Sequence, residues 1–281
     1  MQIKPLNKID FGTIFKAFNQ AFADYEIQLD SVQLQSMLKR RGFNPDLSFA
    51  AFENNEITAF TLNGIGNFNG IPTAYDTGTG TLKEHRGKGL ATKIFEYSIP
   101  FLREANIKQY LLEVLQHNAK AISVYRNLGF ETTREFNYFI QKNEKINFEL
   151  KPVPCSIKPI DINEIHSFSA FCDFYPSWQN SFESIQRAAE DFVSLGAFLD
   201  NKLIGYCVFE PISGDVTQIA VAQQYRRKGI ASLLLHEVIK LNKNDAVKVL
   251  NTDILCLSIT EFLKVKNITA TGKQFEMVKV I

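Results

Sequence analysis

The phrase "RGKGLA" at residues 86–91 returns as "RRKGIA" at residues 226–231. Each time a β-prone stretch ends, a basic turn containing glycine follows, and a helical pattern begins. The first turn of a helix carries N–H groups without partners and the positive end of its dipole, so it is a natural seat for phosphate oxygens. Gly87 and Gly89 let the backbone come close and take left-handed angles, Arg86 and Lys88 add charge, and Leu90 and Ala91 open the helix. A turn whose glycines serve geometry alone is the plainer reading of one such phrase. Two phrases at matching places weigh against it. Neither a triphosphate loop, GxxxxGK(S/T), nor a dinucleotide fingerprint, GxGxxG, is written here.

The elements around the two phrases repeat as well. "IKPLNKIDFGTIFKAF" from Ile3 matches "IKPIDINEIHSFSAF" from Ile157, and "SFAAFENNEITAF" from Ser48 matches "SLGAFLDNKLIGY" from Ser194. The offsets shrink from 154 to 146 to 140 along the chain, as duplication followed by small deletions would leave them. A period this long means two domains rather than a solenoid. Pro152, Pro154 and Pro159 place the seam near "LKPVPCSIKP", giving domains 1–152 and 153–281. Each copy reads as a short strand (from Gln2; from Ser156), helical segments, a hairpin around "ENNE" or "LDNK", a strand into the glycine phrase, a helix and a further strand. Pro100 is expected to kink the first of those helices. Hairpin plus crossover predicts an α/β fold with a mixed, mostly antiparallel sheet flanked by helices.

Composition sets the outer bounds. Hydrophobic residues make up 45% and charged residues 22% of the 281, with a net charge of +1. These are the values of an ordinary globular protein, without the basic excess that a nucleic-acid or membrane partner would call for. Cys155, Cys172, Cys207 and Cys256 are scattered, form no CxxC pair to hold zinc, and read as buried thiols of a reducing compartment, so no metal site is expected. "MQIKPLNKID" lacks the apolar core of a signal peptide, and a cytoplasmic location is expected.

The glycine phrases resemble the Q/R-x-x-G-x-G/A signature of the GCN5-related N-acetyltransferase (GNAT) superfamily, at Arg86, Gly89 and Ala91 and again at Arg226, Gly229 and Ala231. Residues 118–130 are similar to a second motif of that superfamily: Asn118, Ala121, Tyr125, Gly129 and Phe130 stand in the order N-x-x-A-x-x-x-Y-x-x-x-G-F. The resemblance implies two tandem GNAT-like domains, a coenzyme A diphosphate on the turn amides, and a pantetheine arm along Thr81 and Leu82, with Ala220 and Val221 as counterparts. Helical spacing accounts for part of the second motif, and Asn118 suits an N-cap as well as a ligand contact. Residues 250–277 depart from the pattern. Aligning the tail puts Asn267 and Ile268 at the Gly-Phe pair, Leu263 or Phe262 at the tyrosine and Cys256 near the asparagine.

The activity implied is transfer of an acyl group, acetyl first of all, from acetyl-CoA as co-substrate to a primary amine in a ternary complex. A lysine-like amine with pKa about 10.4 is neutral in roughly one molecule in 2,500 at pH 7, a handicap of roughly 4–5 kcal/mol. A carboxylate can lower it, and the candidates are Asp76 in "AYDTG" and Glu113 in "LLEVL". The backbone at Thr81 and Leu82 is expected to donate to the developing oxyanion. Tyr125 is the expected acid for the departing thiolate, worth only about 2 kcal/mol at a thiol pKa of about 8.5. The first domain is thus expected to be catalytic and the second degenerate. The other reading is a coenzyme-sensing or scaffold module. The aromatics Phe22, Tyr25, Phe174, Tyr175 and Trp178, with Met37, read as core before substrate wall, and the acid in "FADYEIQLD" suits a cationic amine. The acceptor is small-molecule or peptide, and the assembly a monomer or homodimer.

Overall fold

The structure, a computed structural model, describes residues 1–24, 28–149 and 152–281, with the backbone alone at 164–166. Tyr25 lies outside the described residues. Compactness divides the chain into one unit of Met1–Thr133 with Glu276–Ile281 and another of Arg134–Phe275.

In the first unit β1 (Gln2–Pro5) leads through α1 (Phe11–Ala21) and α2 (Ser31–Arg41) to β2 (Phe49–Glu53), β3 (Glu56–Phe68) and β4 (Ile71–Thr81). Then come α3 (Leu90–Glu104), β5 (Gln109–Leu115) and α4 (Ala119–Asn127), and β6 (Glu131–Lys142) begins. β1 to β4 pair antiparallel in order, and β5 joins β4 in parallel. Local chemistry sets the boundaries. Asp10 and Asp30 cap α1 and α2 through the N–H groups of Thr13 and Gln33, and Asn54 and Asn55 supply the two positive φ angles of the β2–β3 turn. Alternation along the strands feeds two cores. Ala50, Phe60 and Leu62 pack with Ile14, Phe18, Leu34 and Leu38 of α1 and α2, while Phe49, Ala51 and Ala59 pack with Leu90 and Ile94 of α3. α3 runs through Pro100 without a break.

The second unit holds the rest of β6, then β7 (Ser156–Pro159), α5 (Phe182–Arg187), β8 (Val193–Leu199), β9 (Lys202–Glu210), β10 (Asp215–Val221), α6 (Ile230–Leu241), β11 (Ala246–Asp253), α7 (Leu257–Val265) and the start of β12 (Ala270–Val280). β7 to β10 pair antiparallel in order, β11 joins β10 in parallel, and β6 pairs antiparallel with β11. Asp200 and Asn201 make the β8–β9 turn with the same pair of positive φ angles as Asn54 and Asn55. Each unit is therefore the expected mixed, mostly antiparallel sheet with helices. The helical segments before the second hairpin are short: 3-10 turns over Ile162–Phe171 and the six-residue α5 replace the two eleven-residue helices of the first copy. Among the described residues no helix is long and apolar enough to cross a membrane.

Candidate active site

β4 and β5 stay paired only from Thr73↔Gln109 to Tyr75↔Leu111, although β4 runs on to Thr81 and β5 to Leu115. Beyond Tyr75 the two strands splay, and that edge of β4 meets no ladder partner among the described residues. The register against β3 shifts at the same place, because Asn63 faces Asp76 and Leu62 faces Gly78. Thr77 is the extra residue of a bulge. In a regular strand residues three apart point to opposite faces. The bulge brings Asp76 and Thr79 to one face, where Thr79 Oγ1 donates to Asp76 Oδ2 at 2.8 Å.

Tyr125 reaches this spot from α4. Its hydroxyl donates to Asp76 Oδ2 at 3.2 Å, and its ring packs edge-on against Phe130 at 5.6 Å. The Gly-Phe pair of the motif explains itself here: Gly129 at φ 83° ends the helix and Phe130 N–H returns to Tyr125 O, turning the buried Phe130 onto Tyr125, Tyr110 and Phe95. Asp76 Oδ1 is buried without a hydrogen-bond partner among the described residues. Burial pushes the Asp76 carboxyl above its usual range, against the opposing bonds from Thr79, Tyr125 and the Gly78 amide and the charge of Arg41. Tyr75, one residue earlier, points to the opposite face and gives its hydroxyl to Glu113 Oε2 at 3.2 Å. Burial, then the Glu113 charge, drives the Tyr75 phenol far above its ordinary value. The structure thus bonds Tyr125 to Asp76 and Tyr75 to Glu113.

At the end of β4 the chain turns into α3. Gly87 and Gly89 take φ 77° and 69°, and open space surrounds the position a Cβ would fill at either. Gly89 is an N-cap without a side-chain bond, and the N–H groups from Gly87 to Thr92, Lys88, Leu90 and Ala91 included, meet no backbone acceptor among the described residues. These donors suit a diphosphate. Leu82 is a correction to the sequence reading: its N–H is spent on Thr58 O at 3.0 Å and cannot serve an oxyanion. Successive N–H groups of a strand leave on opposite edges, so that of Thr81 faces the splay. Asn118 is the N-cap of α4 and accepts from Ala121 N–H at 3.2 Å.

Arg86 spends its guanidinium on acceptors within the protein. Nε donates to Thr81 O, Nη2 to Ala21 O and Nη1 to Asp24 Oδ2 at 3.0 Å. Arg226 does the same with Val221 O, Phe171 O and Asp173 Oδ1. Asp24, in the stretch read as suiting a cationic amine, is therefore engaged by the protein's own arginine, which holds its carboxyl below the usual range. This pairing escaped the sequence reading, yet "FAD" at 22–24 and "FCD" at 171–173 carry it at an offset of 149, between the offsets of the flanking repeats.

The second unit repeats the frame and changes the chemistry. β10 bulges at Thr217 as β4 does at Thr77, and β10 meets β11 only at Asp215↔Lys248. One residue before the bulge stands Val216, 1% exposed, in place of Asp76. Ile268 N–H returns to Leu263 O as Phe130 N–H returns to Tyr125 O, with Asn267 at φ 62° between, so Leu263 occupies the tyrosine's place. Cys256 stands at the N-cap position of α7 without a side-chain capping bond, and Asn251 precedes it by the five residues that separate Glu113 from Asn118. A cavity of about 1080 Å³ runs from Thr217 to Ala231 and is walled by Phe148 and Lys266, with Phe174 in its lining. Val153 comes within 3.1 Å of where a Cβ on Gly229 would stand. Of the remaining side chains read as core or substrate wall, Trp178 is buried and Tyr175 exposed, while Phe22 and Met37 pack against the α1–α2 core.

Two units with a splayed parallel strand pair, a bulged strand and a glycine-led helix define a class. The sequence model of the acetyltransferase (GNAT) family matches residues 13–130 and 161–254, and the chain belongs to that family. It is 22% identical over 138 residues to the uncharacterized N-acetyltransferase YobR of Bacillus subtilis, covering 42% of this chain and 53% of that protein. The chain thus spans about half of YobR's length. It is 26% identical over 110 residues to N-alpha-acetyltransferase 30 of Schizosaccharomyces pombe, covering 38% and 73%. Among solved structures, a tandem GNAT protein from the clavulanic acid biosynthesis pathway superposes with TM-score 0.72 at 13% identity, covering 99% of this chain and 98% of that one. A GCN5-related N-acetyltransferase from Sphaerobacter thermophilus gives 0.73 at 12%, covering 99% and 95%. At such identity these two likenesses concern the fold.

Proposed function

We propose that the chain is an acetyl-CoA-dependent N-acetyltransferase that acetylates a primary amine by direct attack, with the catalytic groups in the first of two domains, 1–152 and 153–281. The observation that carries this reading is the Tyr125–Asp76 bond at 3.2 Å beside the β4–β5 splay. The turn that follows the same strand holds amides that meet no backbone acceptor among the described residues. Residues 1–152 contain no cysteine to take the acyl group first, which favours direct transfer. Acetyl-CoA supplies the thioester.

Asp76 is the base. Its orphaned Oδ1 is the atom that receives a proton from the amine, and a carboxyl raised by burial has more affinity for that proton than an exposed one. Tyr125 is the acid that hands its proton to the departing sulphur, and its hydrogen bond to Asp76 lets the pair restore itself afterwards. The Thr81 N–H is the oxyanion donor. Gly87 to Ala91 hold the diphosphate through the backbone, while Arg86 keeps the cradle in shape. Asn118 acts through the α4 N-cap, and Glu113 supports Tyr75. The second domain, with Val216 and Leu263 at the places of the base and the acid, offers Arg226, Gly229, Ala231 and Val221 for binding without turnover, and its cavity favours a ligand-binding role.

A coupled thiol-release screen of amines with acetyl-CoA, run on wild type and Tyr125→Phe together, tests this. Release by wild type that Tyr125→Phe slows supports it, and no release with any amine class rejects it.

A further inference from the structure

The Thr77 bulge frees backbone groups from the β3–β4 ladder, and side chains take them up. Thr77 Oγ1 donates to Leu62 O at 2.9 Å, and Arg41, the last residue of α2, sends Nη1 to the Thr77 carbonyl at 3.1 Å. A bulge is a local departure from the pleat that persists when its loose carbonyl finds a donor. Here the donor comes from the end of a helix whose Leu34 and Leu38 are buried in the α1–α2 core. We propose that Arg41 is a positioning residue for the acetyl-transfer site: it clamps the bulge that turns Asp76 and Thr79 onto one face. The inference rests on the reading of Asp76 as the base.

Two consequences separate this role from plain packing. Asp76 and Thr79 meet at 2.8 Å only because the bulge adds a residue between them. Among the described residues Arg41 is also the cation acting on Asp76, beside the bonds from Thr79, the Gly78 amide and Tyr125 of α4; Tyr110 from β5 and Tyr75 on its own strand, backed by Glu113, face it as well. Loss of Arg41 therefore leaves the Asp76 carboxylate less favoured and moves its titration to higher pH.

The test follows the Asp76 carboxyl carbon by NMR in aspartate-labelled full-length protein, assigned by its loss in Asp76→Asn. Thiol release is measured in parallel with acetyl-CoA and the fastest amine of the screen. Arg41→Gln is expected to move the Asp76 midpoint upward and cut kcat about tenfold or more, with the acetyl-CoA KM within about twofold. Arg41→Lys, which keeps the charge, brings the midpoint back toward wild type. Thr79→Val leaves Arg41 in place and also moves the midpoint upward, so the test survives if Arg41→Gln does not fold. A midpoint unmoved in Arg41→Gln or Thr79→Val, or moved equally in Arg41→Lys, overturns the proposal. Absence of thiol release from wild type would overturn the acetyltransferase reading and leave the titration result standing.

Discussion

Asp76 is where residue chemistry and stability pull apart. Burial raises its pKa above the ordinary 3.8 in the folded protein, so folding favours the protonated acid. The cost of holding the carboxylate is absent below about pH 4 and grows as pH rises through the raised value. Asp76→Asn removes that cost. A thermal melt at pH 8 is expected to show Tm higher by roughly 2–4 °C, a gain that fades toward pH 4, while turnover falls about tenfold or more. By the same sign, the acid limb of the wild-type rate profile is expected above the ordinary carboxylate range. The sequence named Tyr125 as the acid and Asp76 and Glu113 as candidates for the base, but it could not choose between the two carboxylates. The parity that puts Tyr75 with Glu113 and Asp76 with Tyr125 depends on strand register, which one chain's residue order does not reveal.

At the scale of elements, the strand–turn–helix junction was legible because glycines and basic residues mark it twice. What they do there was less so. Gly87 and Gly89 are needed for φ above zero, with open space beside them. Gly89→Ala is expected to cost about 1–2 kcal/mol of backbone strain and weaken coenzyme binding roughly tenfold, as titration calorimetry would read it. Gly229→Ala is expected to leave turnover within about twofold. The arginine of the signature looked like a charge for phosphate and is a staple between β4, α1 and Asp24. Arg86→Met is therefore expected to lower coenzyme affinity several-fold through loss of shape, with a salt dependence close to that of wild type. The bulge was hidden because "AYDTGTGT" reads as a plain β-prone run, and a bulge is a fact of pairing. Its one trace is a threonine recurring at 77 and 217, 140 residues apart like the glycine phrases.

At the scale of the whole molecule, the repeat was plain in the sequence, and the assignment of strands to units was not. The first unit includes Glu276–Ile281. Within it Met277 is fully buried, Glu276 Oε1 accepts from Thr133 Oγ1 at 2.8 Å, and Ile281 N–H meets Lys108 O at 3.0 Å. A fragment of residues 1–152 lacks these contacts and is expected to melt about 10 °C or more below the full chain, or not to fold, by circular dichroism. Duplication kept the frame in both copies and, on this reading, left the reacting groups in one. The most direct test is turnover of full-length Tyr125→Phe, read as thiol released from acetyl-CoA with an active amine, beside calorimetric binding of acetyl-CoA. Turnover is expected to be roughly ten- to a thousand-fold slower with binding intact; turnover equal to wild type would remove Tyr125 from the mechanism.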